Sequence, residues 1–109
     1  MATMKANITN YTQAMAFLRN SLSKIIGNNT YVRLNHKCAE LILHGSVLVR
    51  WHSDNVTVEV FNGGYASVTT KSRLNDFSPV SVYQKRGNWY FSNGKPFVSG
   101  SKFVNGILV

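Results

Sequence analysis

The segment Ala39–Phe61, "AELILHGSVLVRWHSDNVTVEVF", decides the fold. Apolar residues recur at every second position, the period of a strand with one buried face. "AELILH" and "VLVRWH" read as a hairpin pair around Gly45, and "VTVEVF" follows after "SDN". Placing Trp51 opposite Val56 sets Val49 against Val58 and Val47 against Val60. The turn "NGG" then leads into a further strand, "ASVT", with Val58 opposite Val68. Both pairings predict one core face of Val47, Val49, Trp51, Val56, Val58, Val60, Ala66 and Val68. Leu41 and Leu43 join it only if the turn around Gly45 has an odd number of residues, because a one-residue slip reverses every side chain. The opposite face carries Glu40, Ile42, Leu48, Arg50, Thr57, Glu59, Phe61 and Tyr65. It is mixed rather than polar, so part of it is expected to be covered.

Outward from this segment, "TYVRLN" at residues 30–35 reads as another strand. Before it, Tyr11, Ala14, Met15, Leu18, Leu22, Ile25 and Ile26 recur at three- and four-residue steps, predicting one amphipathic helix. Asn10 and Gln13 have capping-box spacing, and Gly27 suits the C′ position. After the central strands, "TTKSRLNDF" predicts a Thr-capped short helix near residues 70–77 that ends before Pro79. Hairpins are expected at Lys85–Asn88 and at Asn93-Gly94, and Gly100 and Asn105-Gly106 punctuate the tail. The fold class is α+β: an N-terminal amphipathic helix packed on a meandering antiparallel β-sheet, with the short second helix. At 109 residues the chain, 1–109, is expected to form a single domain.

Twelve Lys and Arg against four Asp and Glu give a net charge of +8 and a pI near 10.0. Such a balance favours polyanionic partners. Residues 1–37 carry Lys5, Arg19, Lys24, Arg33 and Lys37 with no acid, whereas Glu40, Asp54 and Glu59 make the centre mildly acidic. Cations dominate again after residue 70. No apolar run is long enough to span a bilayer, and the start of the chain has no apolar block of signal-peptide type. A single cysteine, Cys38, excludes an internal disulfide framework and a multi-cysteine zinc site, so a cytosolic location is expected.

"VSVYQKRGNWYF", Val80–Phe91, is the most informative stretch for function. A two-residue turn at Arg86-Gly87 pairs Lys85 with Asn88, Gln84 with Trp89, Tyr83 with Tyr90 and Val82 with Phe91. Alternation then puts Val80, Val82, Trp89 and Phe91 in the core. Tyr83, Lys85 and Tyr90 share the other face, with Arg86 at the tip. Two rings beside two cations suit stacked bases and phosphates, although a cross-strand Tyr pair also stabilises an ordinary hairpin. Lys71 and Arg73, near the start of the second helix, form a second candidate set, since helix N-terminal N–H groups and cations attract anions. His36, His44 and His52 each sit near a predicted strand end. With Cys38 they match no zinc spacing, and no second group is placed beside any of them for acid–base chemistry. No motif calls for a metal or a cofactor.

"NTYVRL", "ILHGSVLVRWH", "GGYASVTTKSRLNDF", "VYQKRGNWYF" and "PFVSG" follow in an order that resembles a recurring family of small phage-encoded proteins. The resemblance covers about residues 28–104, with the N-terminal helix outside it. It departs at Ser99, where the family carries an acid before the glycine. It implies a phage origin and action in the cytoplasm of the infected bacterial host. The leading expectation is a non-enzymatic accessory protein whose basic surface binds nucleic acid, DNA or RNA, through Lys71, Arg73, Tyr83, Lys85, Arg86 and Tyr90. Two alternatives stand beside it. One is a protein-binding inhibitor of a host defence or nucleic-acid-processing enzyme, docking through the mixed sheet face. The other is a small metal-independent ribonuclease. No membrane partner is expected, and a homo-oligomer is compatible with the sequence.

Overall fold

The computed structural model describes residues 8–27, 29–63, 67–79 and 81–109. The expected places of Tyr65, Ala66 and Val80, and the cation Lys5, fall outside them. The described elements are α1 (Tyr11–Leu18), β1 (Ser23–Gly27), β2 (Thr30–Asn35), β3 (Cys38–Leu43), β4 (Ser46–His52), β5 (Thr57–Val60), α2 (Val68–Phe77), β6 (Val82–Lys85), β7 (Asn88–Phe91), β8 (Ser101–Val104) and β9 (Ile107–Leu108). Seven strands form one antiparallel sheet in the order β1-β2-β3-β4-β5-β8-β9, and β6 and β7 form a separate hairpin. The class is α+β, as expected, with a mostly antiparallel meander.

One face of the large sheet carries the core. Val32, Ala39, Leu41, Val49, Trp51, Val58, Val60 and Phe103 lie on it, all buried, and α1 adds Ala14 and Leu18. From α2 come Leu74 and Phe77, and from the hairpin Val82 and Phe91. Trp51 is wholly buried, and its indole Nε1 donates to the Phe77 carbonyl at 3.0 Å. That bond satisfies one of the carbonyls a helix leaves orphaned in its last turn, and it joins α2 to the centre of the sheet.

A β-bulge sets the phase of the β3–β4 hairpin. Its turn is the two-residue pair His44-Gly45, both at positive φ, with Leu43 opposite Ser46. An even turn alone would pair Leu41 with Leu48 and carry Trp51 to the wrong face. Instead the register shifts between Ile42↔Val47 and Leu41↔Val49, and Leu48 is the extra residue. Leu41 and Leu43 therefore reach the core through an odd residue in the strand rather than in the turn. Contrary to the sequence reading, Leu48 is buried in the core and Val47 is only half-buried.

Three further expectations are corrected. The stripe from Tyr11 to Ile26 is not one helix: α1 ends at Leu18, where Arg19 and Asn20 both turn left-handed. Short apolar spacings fit either period, and the β-branched pair Ile25-Ile26 takes the strand alternative beside β2. Leu22 and Ile25, assigned to the buried stripe, are consequently 75% and 78% exposed. Second, β4 and β5 pair two residues out of the expected register, with Trp51 opposite Val58. Asp54 accepts from the backbone N–H groups of Val56 and Thr57, both at 2.9 Å, which draws Val56 into the loop. Third, "ASVT" is not a strand in its described part. Ser67 caps α2 by accepting from Thr70 N at 3.1 Å, so Ser67 rather than a threonine is the N-cap. Val68 is an exposed first-turn residue, and Val58 lies opposite Phe103 of β8.

The open face of the sheet carries a row of alternating charge. Arg33, Glu40, Arg50, Glu59 and Lys102 are cross-strand neighbours on β2, β3, β4, β5 and β8. Glu40 has no exposed surface, and it accepts from Arg33 Nε at 2.8 Å and from Arg50 Nε at 2.7 Å. Burial pushes its carboxyl up, but hydrogen bonds and charge from Arg50 and Arg33 outweigh that and hold it below the usual carboxylate range. Arg50 also lies 5.3 Å over the Phe61 ring. The mixed composition of this face thus reflects a covered carboxylate and its partners.

Trp51→Phe, which keeps the bulk of the ring and strands the Phe77 carbonyl, is expected to cost about 1–3 kcal/mol in urea unfolding. Because the Glu40 pKa is depressed on folding, its contribution is present above the ordinary carboxyl range and is lost as pH falls through the folded value. Glu40→Gln should lower stability at pH 7 by roughly 1.5–3 kcal/mol. The gap between variant and parent should close in acid, as read by denaturation midpoints across the acid range.

Candidate nucleic-acid interface

The hairpin β6–β7 turns at Arg86-Gly87, with φ of 53° and 81°, the mirror-image turn that suits twisted strands. Its register is Val82↔Phe91, Tyr83↔Tyr90, Gln84↔Trp89 and Lys85↔Asn88, as the sequence predicts. Val82 and Phe91 are buried, and Phe91 meets Phe103 edge-on at 5.1 Å, which fastens the root of the hairpin to the large sheet. Trp89 packs edge-on against Phe97 at 5.4 Å. On the other face Tyr83 and Tyr90 stack, with centroids 5.6 Å apart and planes 26° from parallel. After Phe91 the chain makes a tight turn at Asn93-Gly94 and returns along β7, with Tyr90 opposite Pro96 and Phe97 N donating to the Trp89 carbonyl at 3.0 Å.

An open groove of about 570 Å³ runs along this face, lined by Tyr83, Lys85, Arg86, Asn88, Tyr90 and Gly94. The four hairpin residues singled out from sequence are therefore brought together. Asn88 was overlooked although the register places it opposite Lys85. Gly94 arrives only through the return of the chain after β7, which nothing in the local pattern announces. A second groove of about 440 Å³ lies on the Trp89 side, between Asn62, Trp89, Pro96 and Phe97.

The second candidate pair splits. Lys71 reaches the hairpin, its Nζ donating to Gln84 Oε1 at 3.3 Å. Arg73 points elsewhere, its Nε donating to Thr30 Oγ1 at 3.3 Å on β2. The hydroxyls at the start of α2 are used internally: Ser67 caps the helix, and Thr70 is buried within 3.0 Å of the Ser67 hydroxyl. What α2 does supply is an anchor. The Asn75 carboxamide takes both backbone groups of Val82, accepting from its N–H at 2.6 Å and donating to its C=O at 3.1 Å. One side chain thereby stands in for a neighbouring strand at the edge of β6.

His36 and His44 occupy left-handed turn positions, whereas His52 faces the open sheet. Its Nε2 lies 2.7 Å from Glu59 Oε1, and its Nδ1 lies 3.5 Å from Cys38 Sγ. Sequence reasoning missed this chain of three because it depends on the β3–β4–β5 register. Burial pushes the Cys38 thiol up, with the Arg50 charge opposing, so the group is held toward its protonated, unreactive form. Among the described residues no group of three or more His, Cys, Asp and Glu side chains is arranged to hold a metal ion. No helix of the described residues is long and apolar enough to cross a membrane.

A family model described as Kyanoviridae Gp96 protein matches residues 7–109. The chain belongs to that family. The match reaches past the expected limits at both ends, taking in α1 and β9, and it makes this a phage protein. No curated protein and no solved structure matches the chain.

Asn75→Ala removes both bonds to Val82 while leaving the buried face of α2 unchanged. It should destabilise the fold by about 1–2 kcal/mol. Faster amide exchange in β6 than in β3 would show that the loss is local to the hairpin.

Proposed function

We propose that this phage protein binds nucleic acid through the β6–β7 hairpin, mainly at phosphates and with little sequence preference. One observation carries the reading: Tyr83, Lys85, Arg86 and Tyr90, drawn from two strands and their turn, line one open groove. The rings offer π-faces and the cations offer phosphate contacts. The charge balance of +8 supports a polyanionic ligand. Much of that charge is committed elsewhere, since Arg33 and Arg50 hold Glu40, Lys24 donates to the Phe17 carbonyl and Arg73 holds Thr30. Lys85 and Arg86, by contrast, make no ion pair or side-chain hydrogen bond among the described residues, and both are exposed. Lys71 is bonded to Gln84 and does not line the groove, and Arg73 is not part of it either.

The reading needs no catalysis, metal or cofactor, and it suits action in the cytoplasm of the infected cell. Inhibition of a host protein through the open sheet face has less support, because the charges of that face already answer one another. A ribonuclease has less again, because His52 is turned onto Glu59 and Cys38.

Affinity for a mixed-sequence oligonucleotide should fall steeply between 50 and 200 mM salt, roughly in proportion to the phosphates contacted. Lys85→Ala combined with Arg86→Ala should flatten the log–log salt slope by roughly 1.4–1.8. Weak, salt-independent binding would end the proposal, and an unchanged slope in the double variant would remove the hairpin from it.

A further inference from the structure

We infer that the hairpin groove selects single-stranded nucleic acid and holds an unpaired base on the free face of Tyr83. The inference rests on the nucleic-acid reading above and narrows its ligand. Cross-strand pairing sets Tyr83 opposite Tyr90, and both rings line the groove, whereas Pro96, on the other side of Tyr90, lines the second groove. Tyr90 has a neighbour on each side. Tyr83 stacks on Tyr90 at 5.6 Å and ends the row, because among the described residues β6 pairs with no strand beyond it. Tyr83 is also 42% exposed, in a chain whose other large rings are mostly in or against the core.

A stacked row that ends on an open ring is one half of a base stack. In a duplex each base has both faces covered by its neighbours, so nothing is free to continue the row. An unpaired base has a free face, and aromatic side chains take it with little regard to sequence. The groove, at about 570 Å³, falls within the ~300–1,000 Å³ range of sites that hold a small ligand. Lys85 lies two residues along β6 from Tyr83, about 7 Å, on the same face. A phosphate beside the stacked nucleotide is therefore within reach of the Lys85 ammonium, and the next meets Arg86 at the tip.

The competing geometry is a β-ribbon laid in the major groove of a duplex. That mode reads base edges and needs donors and acceptors along the outward face. Here the centre of that face is given to two rings stacked on each other, and among the described residues Asn88 is the only amide lining the groove.

The test uses the full chain with a labelled oligothymidylate of about a dozen nucleotides and a duplex of equal length, read by fluorescence anisotropy. The single strand should bind about tenfold more tightly or better. Tyr83→Ala should weaken single-strand binding about 5- to 100-fold, far more than duplex binding, and leave the salt slope unchanged. Tyr83→Phe, which keeps the ring, should bind like the parent. Equal affinity for both oligonucleotides with no effect of Tyr83→Ala would overturn the inference and leave the nucleic-acid reading standing. A Tyr83→Phe variant as weak as Tyr83→Ala would also overturn it, by assigning the contact to the hydroxyl. No saturable binding of either oligonucleotide would overturn both.

Discussion

A carboxylate with no access to water sits in the middle of the sheet, and the arrangement around it follows from the need to answer its charge. Glu40 lies on β3, with its side chain on the face opposite the core. A buried carboxylate left alone would shift its pKa upward or unfold its surroundings. Arg33 on β2 and Arg50 on β4 prevent that, one from each side. Three strands must then keep one register, because a slip by a single residue would remove an arginine and expose half the core at once. Charge on one face and packing on the other specify the same alignment, and the two requirements meet in β3.

That double requirement explains which parts of the fold were legible. Alternation in residues 30–61 identified the strands, since the period of two survives any uncertainty about pairing. The register of β6–β7 was legible in full because Arg86-Gly87 fixes it locally. The β4–β5 register was not, because Asp54 lengthens the loop through bonds that no apolar pattern encodes. The segment after Leu18 was misread for a different reason. Leu18, Leu22, Ile25 and Ile26 satisfy a helical spacing, while the β-branched pair Ile25-Ile26 suits a strand. Pairing with β2, the strand that follows directly, decides between them. The candidate site divides in the same way: four hairpin residues follow from one turn, whereas Arg73, Asn75 and Gly94 depend on contacts between elements.

The hairpin stands apart from the seven-stranded sheet but is not loosely attached. Phe91 roots it against Phe103, Asn75 occupies its open backbone edge, and Lys71 touches Gln84 nearer the tip. A platform fixed at three points presents its rings in one geometry. The mutual stack of Tyr83 and Tyr90 adds to this, since each ring restricts the rotamers of the other.

The Leu48 bulge has a consequence for how the chain tolerates changes in length. The tip at His44-Gly45 contributes an even count and the bulge supplies the missing odd one, so the two act together as a parity correction. Deleting Leu48 would merge the bulge into a regular ladder and keep Val49 opposite Leu41, at the loss of one core side chain. Deleting Arg50 would have no such remedy, for even with the ladder made regular Glu40 would keep only one of its two arginines. The hairpin therefore has one position where its length is negotiable, lying next to a stretch where it is not.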